Sequence, residues 1–244
     1  MMSTTLFISD LHLDPARPEI TRLFLDFLAG DAREAEALYI LGDLFEAWIG
    51  DDDPSQHHAD VQDAMARLSA SDTATYFMHG NRDFLIGDTF AQRTGFTLLD
   101  DPLVIDLYGT PTLLTHGDAL CTDDVEYQEI RKQFRNPDWQ AQFLAQPLEA
   151  RQAFADKARA ESKSAQAGKS MDIMDVNQGA VAASFIGHDV ARMIHGHTHR
   201  PGVHTMSLDG QTRQRIVLGD WYEQGSVLRA RPEGISLMEL GVRS

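Results

Sequence analysis

Near position 195 the chain reads His-Gly-His-Thr-His-Arg, with His195, His197 and His199 separated by Gly196 and Thr198. In an extended segment side chains repeat every two residues, so the three imidazoles can share one side. Imidazole is the commonest metal ligand in proteins. Taken alone, the tract fits a metal site and also a histidine-bearing surface turn. The rest of the chain decides between them.

Four other apolar runs end in potential ligands. Asp10 and His12 follow Leu-Phe-Ile-Ser, and Gly42-Asp43 follows Leu-Tyr-Ile-Leu. Gly80-Asn81-Arg82-Asp83 follows Tyr-Phe-Met-His, and His116-Gly117-Asp118 follows Thr-Leu-Leu-Thr. Open α/β sheets place their sites beyond the carboxyl ends of their strands. Asp10, His12, Asp43, Asn81, His116, His197 and His199 exceed what one metal needs. With Asp43 bridging, they form two sets: Asp10, His12, Asp43 and His199, then Asp43, Asn81, His116 and His197. Oxygen and imidazole ligands without thiolate favour a hard or borderline divalent ion. Two such ions roughly 3.5–4 Å apart clamp the attacking and leaving oxygens of an in-line phosphoryl displacement.

The elements that must carry these residues alternate between strand and helix. Helical spacing of Ile20, Leu23, Phe24, Phe27 and Leu28, stopped by Gly30, predicts a helix between the first two strands. A second helix opens at Pro54-Ser55, before the strand at Ala74–Met78. This rhythm predicts an α/β fold. From Asp123 to about Ala167 the pattern turns helical and polar, broken by Pro137 and Pro147, and short strands close the chain. No repeat, low-complexity tract or linker interrupts it. The expectation is one domain over 1–244 with a helical insertion at about 123–170.

Bulk properties narrow the classes. Of 244 residues, 43 % are hydrophobic and 24 % charged, ordinary for a globular chain. A single cysteine, Cys121, excludes an internal disulfide framework and suits a reducing compartment. No secretory signal pattern and no membrane-length apolar run are present, so a cytoplasmic protein is expected. The formal net charge of −16 argues against nucleic-acid binding. From Val125 to Ser170, however, eight Lys/Arg outnumber six Asp/Glu. A locally basic insertion in an acidic chain suits an anionic ligand, or simply a solvated helical surface.

The motifs Asp-Leu-His, Gly-Asp, Gly-Asn-Arg-Asp, Thr-His-Gly-Asp and Gly-His-Thr-His, in this order, resemble those of the calcineurin-like metallophosphoesterases. The resemblance runs from Asp10 to Pro201. It implies a sandwich of two mixed β-sheets flanked by helices, with the insertion as a lid, and a metal-bridging hydroxide as nucleophile. His197 and His199 match the family's paired histidine ligands; His195 precedes the motif glycine and is expected to pack behind them. His57, His58, His79, His188 and His204 have no motif partner and default to structural or surface roles. Where the family carries a histidine able to protonate a leaving alkoxide, this chain has Arg82. Arginine is no useful acid, but it can neutralise and orient phosphate oxygens. The substitution suits a leaving group that is itself a phosphate, whose second pKa of about 6 lets it depart unprotonated. A plain ion pair between Arg82 and Asp83 is the structural alternative.

The longer pattern, including Gly-Asp-Leu-Phe-Glu-Ala-Trp, Leu-Cys-Thr-Asp-Asp and Ile-Met-Asp-Val-Asn, resembles a narrower branch of that family. These are the pyrophosphohydrolases of lipid A synthesis that cleave UDP-2,3-diacylglucosamine. That resemblance implies water attack on the α-phosphorus, giving UMP and 2,3-diacylglucosamine 1-phosphate. It implies two Mn2+ ions, with other divalent ions possible, and a peripheral position on the cytoplasmic face of the inner membrane. It implies no protein partner. It makes Asn81 and Arg82 catalytic, and gives substrate contacts at Asn81, Arg82, Asp124, Ser162, Gln166, Lys169 and His197. Ile130, Phe134, Trp139, Phe143, Leu144, Leu148 and Phe154 could line a chamber for acyl chains, or could be plain packing. Two alternatives remain. One is another dimetal phosphoesterase, a nucleotidase or phosphodiesterase, against which Arg82 and the insertion argue. The other is a non-catalytic scaffold, which should have lost ligands.

Overall fold

In the computed structural model the described residues are 3–168 and 175–241, with 163–168 described by backbone alone. Two mixed sheets face each other. The six-stranded sheet has the order β11-β10-β1-β2-β3-β4. Its strands are β1 (Thr5–Ile8), β2 (Ala37–Leu41), β3 (Ala74–Met78), β4 (Thr97–Leu99), β10 (Gly225–Arg231) and β11 (Gly234–Leu240). Strands β1 to β4 run parallel, and β10 returns antiparallel against β1. The five-stranded sheet has the order β5-β6-β7-β9-β8, with β6, β7 and β9 parallel. It comprises β5 (Leu103–Leu107), β6 (Thr110–Thr115), β7 (Arg192–His195), β8 (Gly202–Leu208) and β9 (Gln211–Val217).

Strand alternation explains three separate cores. Leu6 and Ile8 of β1, Leu38 and Ile40 of β2, and Phe77 of β3 point outward to the helices. There they meet α1 (Pro18–Ala29), α2 (Gln56–Ser69) and α3 (Asp88–Thr94). The intervening Phe7, Leu41 and Met78 point inward to Leu114, Ile194 and Ile216 of the other sheet. On that sheet's far face Leu113 and Met193 pack under Val181 and Phe185 of α7 (Gln178–His188). This is the period-two pattern of sheets buried on both faces. The expected sandwich and the first two helices are as the sequence predicts; α3, β4 and α7 are additional.

The segment expected to be helical forms α4 (Val125–Phe134), α5 (Pro137–Leu144) and α6 (Leu148–Gly168). Asn136 caps α5 by accepting from the amides of Asp138 and Trp139 at 2.8 and 3.1 Å, and Pro137 fills the first turn. Arg151 of α6 is 2 % exposed and anchors the group. Its guanidinium donates to the carbonyls of Ile49 (2.6 Å) and Gln146 (3.0 Å) and pairs with Asp52. Among the described residues no helix is long and apolar enough to cross a membrane.

Candidate metal centre

All seven expected ligands lie just past the carboxyl ends of β1, β2, β3, β6 and β7, and the structure brings them together. His12 Nε2 and His199 Nε2 face each other at 3.3 Å. Asp10 Oδ1 lies 3.3 Å from His199 Nε2, and Asp43 Oδ2 lies 3.6 Å from His12 Nε2. On the other side of Asp43, its Oδ1 is 3.8 Å from His116 Nε2. Asn81 Oδ1 is 3.0 Å from His116 Nε2 and 2.8 Å from His197 Nδ1. Asp43 thus stands between the two sets with one oxygen towards each.

Holding these groups strains the backbone. Asp10, His12, Asp43, His197 and His199 all have positive φ, between 48° and 68°. Such conformations cost on the order of 1–3 kcal/mol each and persist only where the surroundings impose them. Neighbouring glycines allow the close approach. A Cβ on Gly80 would overlap the Asp43 carboxylate, and one on Gly196 would overlap the Asp10 carboxylate. Asp10 is further fixed by Ser9 Oγ at 2.5 Å and the His197 amide at 2.9 Å.

The cage suits cations. Asp10, Asp43 and His116 are buried, and the ligand atoms of Asp10, Asp43 and His116, and of Asp10, His12 and His199, converge within 4.8 Å. Burial alone would depress His116, but Asp43, Asp118 and Asp10 push it up to about 9. Burial pulls the Asp10 carboxyl up, yet the His199 hydrogen bond and nearby imidazole charges hold it well below the usual carboxylate range. The carboxylates therefore impose a negative potential. Burial, reinforced by His116, brings His197 down to about 4, so its imidazole stays neutral, as coordination requires.

Outer partners orient the rings. His116 Nδ1 meets the Leu41 carbonyl at 2.8 Å, His12 Nδ1 meets Glu46 at 3.1 Å, and His199 Nδ1 lies 3.7 Å from Asp220. Such contacts fix the tautomer that presents the other nitrogen inward. Tyr222 stacks on His12 at 5.1 Å, under the Arg17 guanidinium. Asp220, Tyr222 and Arg17 belong to no motif, and no sequence spacing points to them; Glu46 falls inside the Gly-Asp-Leu-Phe-Glu-Ala-Trp motif, but nothing in that motif marks it as a partner of His12. His195 packs behind the cage, with Nε2 3.0 Å from Arg215.

Arg82 lies beside the cage, its amide donating to Asp43 Oδ1 at 2.8 Å. Among the described residues no ion pair joins it to Asp83. The buried Asp83 carboxylate instead accepts from the amides of Gly80 (2.8 Å) and Leu44 (2.7 Å). Burial and Asp43 raise Asp83 to about 6. The Arg82 Nε is buried without a hydrogen-bond partner. Asn81 and Arg82 line a cavity of ≈ 520 Å3 that is also lined by Ile130, Phe134, Trp139, Phe143 and Phe154. These aromatics contact one another; the Phe134–Trp139 and Trp139–Phe143 centroids are 4.7 and 5.0 Å apart. Leu144 and Leu148 do not line it, and Leu144 points to solvent. Asp124 and Ser162 do line it, though Asp124 also caps α4 by accepting from the Tyr127 amide at 3.1 Å. The Gln166 side chain and Lys169 lie outside the described residues.

A cation cage at the meeting ends of two sheets, opening on a deep cavity, defines a metal-dependent phosphoesterase. The model of the calcineurin-like phosphoesterases matches residues 3–201, and the chain belongs to that family, which implies a dimetal centre. A relative from Xanthomonas oryzae pv. oryzae, named UDP-2,3-diacylglucosamine hydrolase, is 58 % identical over 98 % of this chain and 100 % of its own. Proteins of the same name from Xanthomonas axonopodis pv. citri and Stenotrophomonas maltophilia are each 57 % identical. They cover 98 % and 96 % of this chain, and 100 % and 97 % of their own.

Proposed function

We propose that this protein hydrolyses the pyrophosphate bond of UDP-2,3-diacylglucosamine in lipid A synthesis. Water adds to the α-phosphorus, the bond from that phosphorus to the bridging oxygen breaks, and UMP and 2,3-diacylglucosamine 1-phosphate leave. The observation that carries this reading is the single cavity joining Asn81 and Arg82 to the aromatic wall of the insertion. A phosphate-binding end and an apolar end match a substrate with a diphosphate and two acyl chains. Full-length similarity to proteins of that name supports it.

Within this reading Asp10, His12, Asp43 and His199 would hold one divalent ion, and Asp43, Asn81, His116 and His197 the other, Mn2+ or another divalent metal. When bound, the ions supply Lewis-acid charge and bring the pKa of a water towards neutrality. Arg82 is half-buried, its buried Nε has no hydrogen-bond partner, and it lines the cavity where the diphosphate would lie. It neutralises charge building on the diphosphate. Ser162 and Asp124 face the glucosamine, with Gln166 and Lys169 as further contacts, and the aromatic wall takes the acyl chains. Positions 1–244 act as one domain, lying in the cytoplasm against the inner membrane with the basic insertion nearest the lipid.

The test compares Mn2+-dependent release of UMP from UDP-2,3-diacylglucosamine with hydrolysis of an aryl phosphate. The expected outcome is strong preference for the lipid substrate, lost on chelation. Equal rates on UDP-glucosamine without acyl chains would refute the lipid-chamber assignment.

A further inference from the structure

The insertion helix α4 does more than wall the cavity. Tyr127, Arg131 and Arg135 are spaced by four, so they descend one helix face. All three come within 4.0 Å of Asp118, two residues after His116. Asp118 is fully buried, and its Oδ2 accepts from Tyr127 Oη at 2.9 Å and Arg131 Nε at 2.8 Å. Gln128 adds a clasp, donating to the carbonyls of Asp118 (2.9 Å) and Cys121 (3.0 Å). The Tyr127 ring stacks on His197, centroids 5.8 Å apart at 27°. Arg135 Nη2 donates to the carbonyl of Gly80 at 3.0 Å, the residue before Asn81. Three of the four groups around the second ion site are thus touched by, or one or two residues from, the Asp118–Tyr127–Arg135 network.

We propose that Asp118, Tyr127 and Arg135 are positioning residues that lock α4 to the metal cage, so that second-ion affinity depends on the docked insertion. The inference rests on the dimetal phosphoesterase reading. The lid and the second ion site are one assembly. Tyr127 prevents His197 from tilting, Asp118 fixes Tyr127, and Arg135 fixes the loop carrying Asn81. The first site, built from Asp10, His12 and His199, has no contact with α4 in this network.

The variants are Tyr127→Phe, which keeps the ring and removes only the hydroxyl, Asp118→Asn, Arg135→Met and the double variant Asp118→Asn/Tyr127→Phe. Lys132→Ala is the control, since Lys132 is exposed and pairs with Glu129 across the helix surface. Mn2+ titration of metal-stripped protein reads both affinities, and the spin-coupled Mn2+ pair reads assembly of the centre. Each single variant should weaken the second ion by about 10–100-fold, the size seen for outer partners of metal ligands, with the first ion within about threefold. On bis(p-nitrophenyl) phosphate and on the UDP-lipid, kcat should fall with KM little changed. The double variant should be no worse than the stronger single, because the residues act as one unit.

Wild-type affinity for both ions in folded Tyr127→Phe and Arg135→Met overturns the proposal, as does a rise in KM with unchanged kcat. Should Asp118→Asn fail to fold, those two variants decide alone. Loss of the second ion in the variants, in a protein whose wild type ignores the UDP-lipid, would leave this proposal standing and remove the substrate assignment.

Discussion

Asp43 turns one carboxylate oxygen towards His12 and the other towards His116. Asp43→Ala should therefore remove both ions and lower turnover by more than ~100-fold, beyond the loss of any outer partner. Metal analysis with one ion retained and full activity would contradict the bridging role. Arg82→Ala should lower kcat by roughly 10²–10³-fold, the cost of one transition-state donor, with metal content intact. Arg82→His should not restore the rate, because a departing phosphate needs no proton; full rescue by histidine would show a general acid there. Cys121 is a different case. It is buried, and burial followed by the charges of Asp118 and Asp175 pushes its thiol up to about 12. Only roughly one thiol in ten thousand is then ionised at pH 8. Native protein should not react with a thiol-specific disulfide reagent until denatured. At this scale the residues placed around the cage were legible because strand-end position and residue type both mark them. Asp220, Tyr222 and Tyr127 were not, since each acts through a contact between distant segments and leaves no local pattern.

Among the elements, those with a strong period were readable and those without were missed. Helix α1 shows its stripe from Ile20 to Leu28 and a proline and glycine at its ends. Helix α7, Gln-Gly-Ala-Val-Ala-Ala-Ser-Phe-Ile-Gly-His, is small-residue rich and apolar without a clear face. Helix α3 is only seven residues long, and its burial of Phe90 against Phe45 and Trp48 is a tertiary event. Pro137 and Pro147 did divide the insertion as their chemistry requires. What anchors it is Arg151, a charge that hydropathy assigns to the surface yet is buried under the carbonyls of Ile49 and Gln146. Arg151→Ala should cost about 1–3 kcal/mol by leaving the buried Ile49 carbonyl unsatisfied. Thermal melts should show the loss, and hydrolysis of the lipid substrate should suffer more than that of a small diester. Equal loss on both substrates would mean that Arg151 supports the whole protein rather than the docked insertion.

For the molecule as a whole, the family match ends at residue 201, but the fold does not. Strand β10 sits against β1 inside the larger sheet, and β9 lies between β7 and β8 in the smaller one. Between them Trp221 is fully buried, edge-on to Phe24 and Phe27, and its amide donates to the Asp10 carbonyl at 3.0 Å. Asp220 and Tyr222, on either side, face His199 and His12. The last strands therefore close the core and buttress the cage at once. Trp221→Ala should destabilise by about 3–5 kcal/mol, the usual cost of emptying so large a buried site. It should also weaken the ion held by Asp10, His12 and His199 more than the other. A chain ending at Pro201 would leave the edges of β1 and β7 unpaired and lose the ring on His12. It should show no cooperative melt and no Mn2+ binding. A folded, metal-binding truncation would mean that the cage stands on the first five ligand-bearing strands alone, and that Trp221 only fills space.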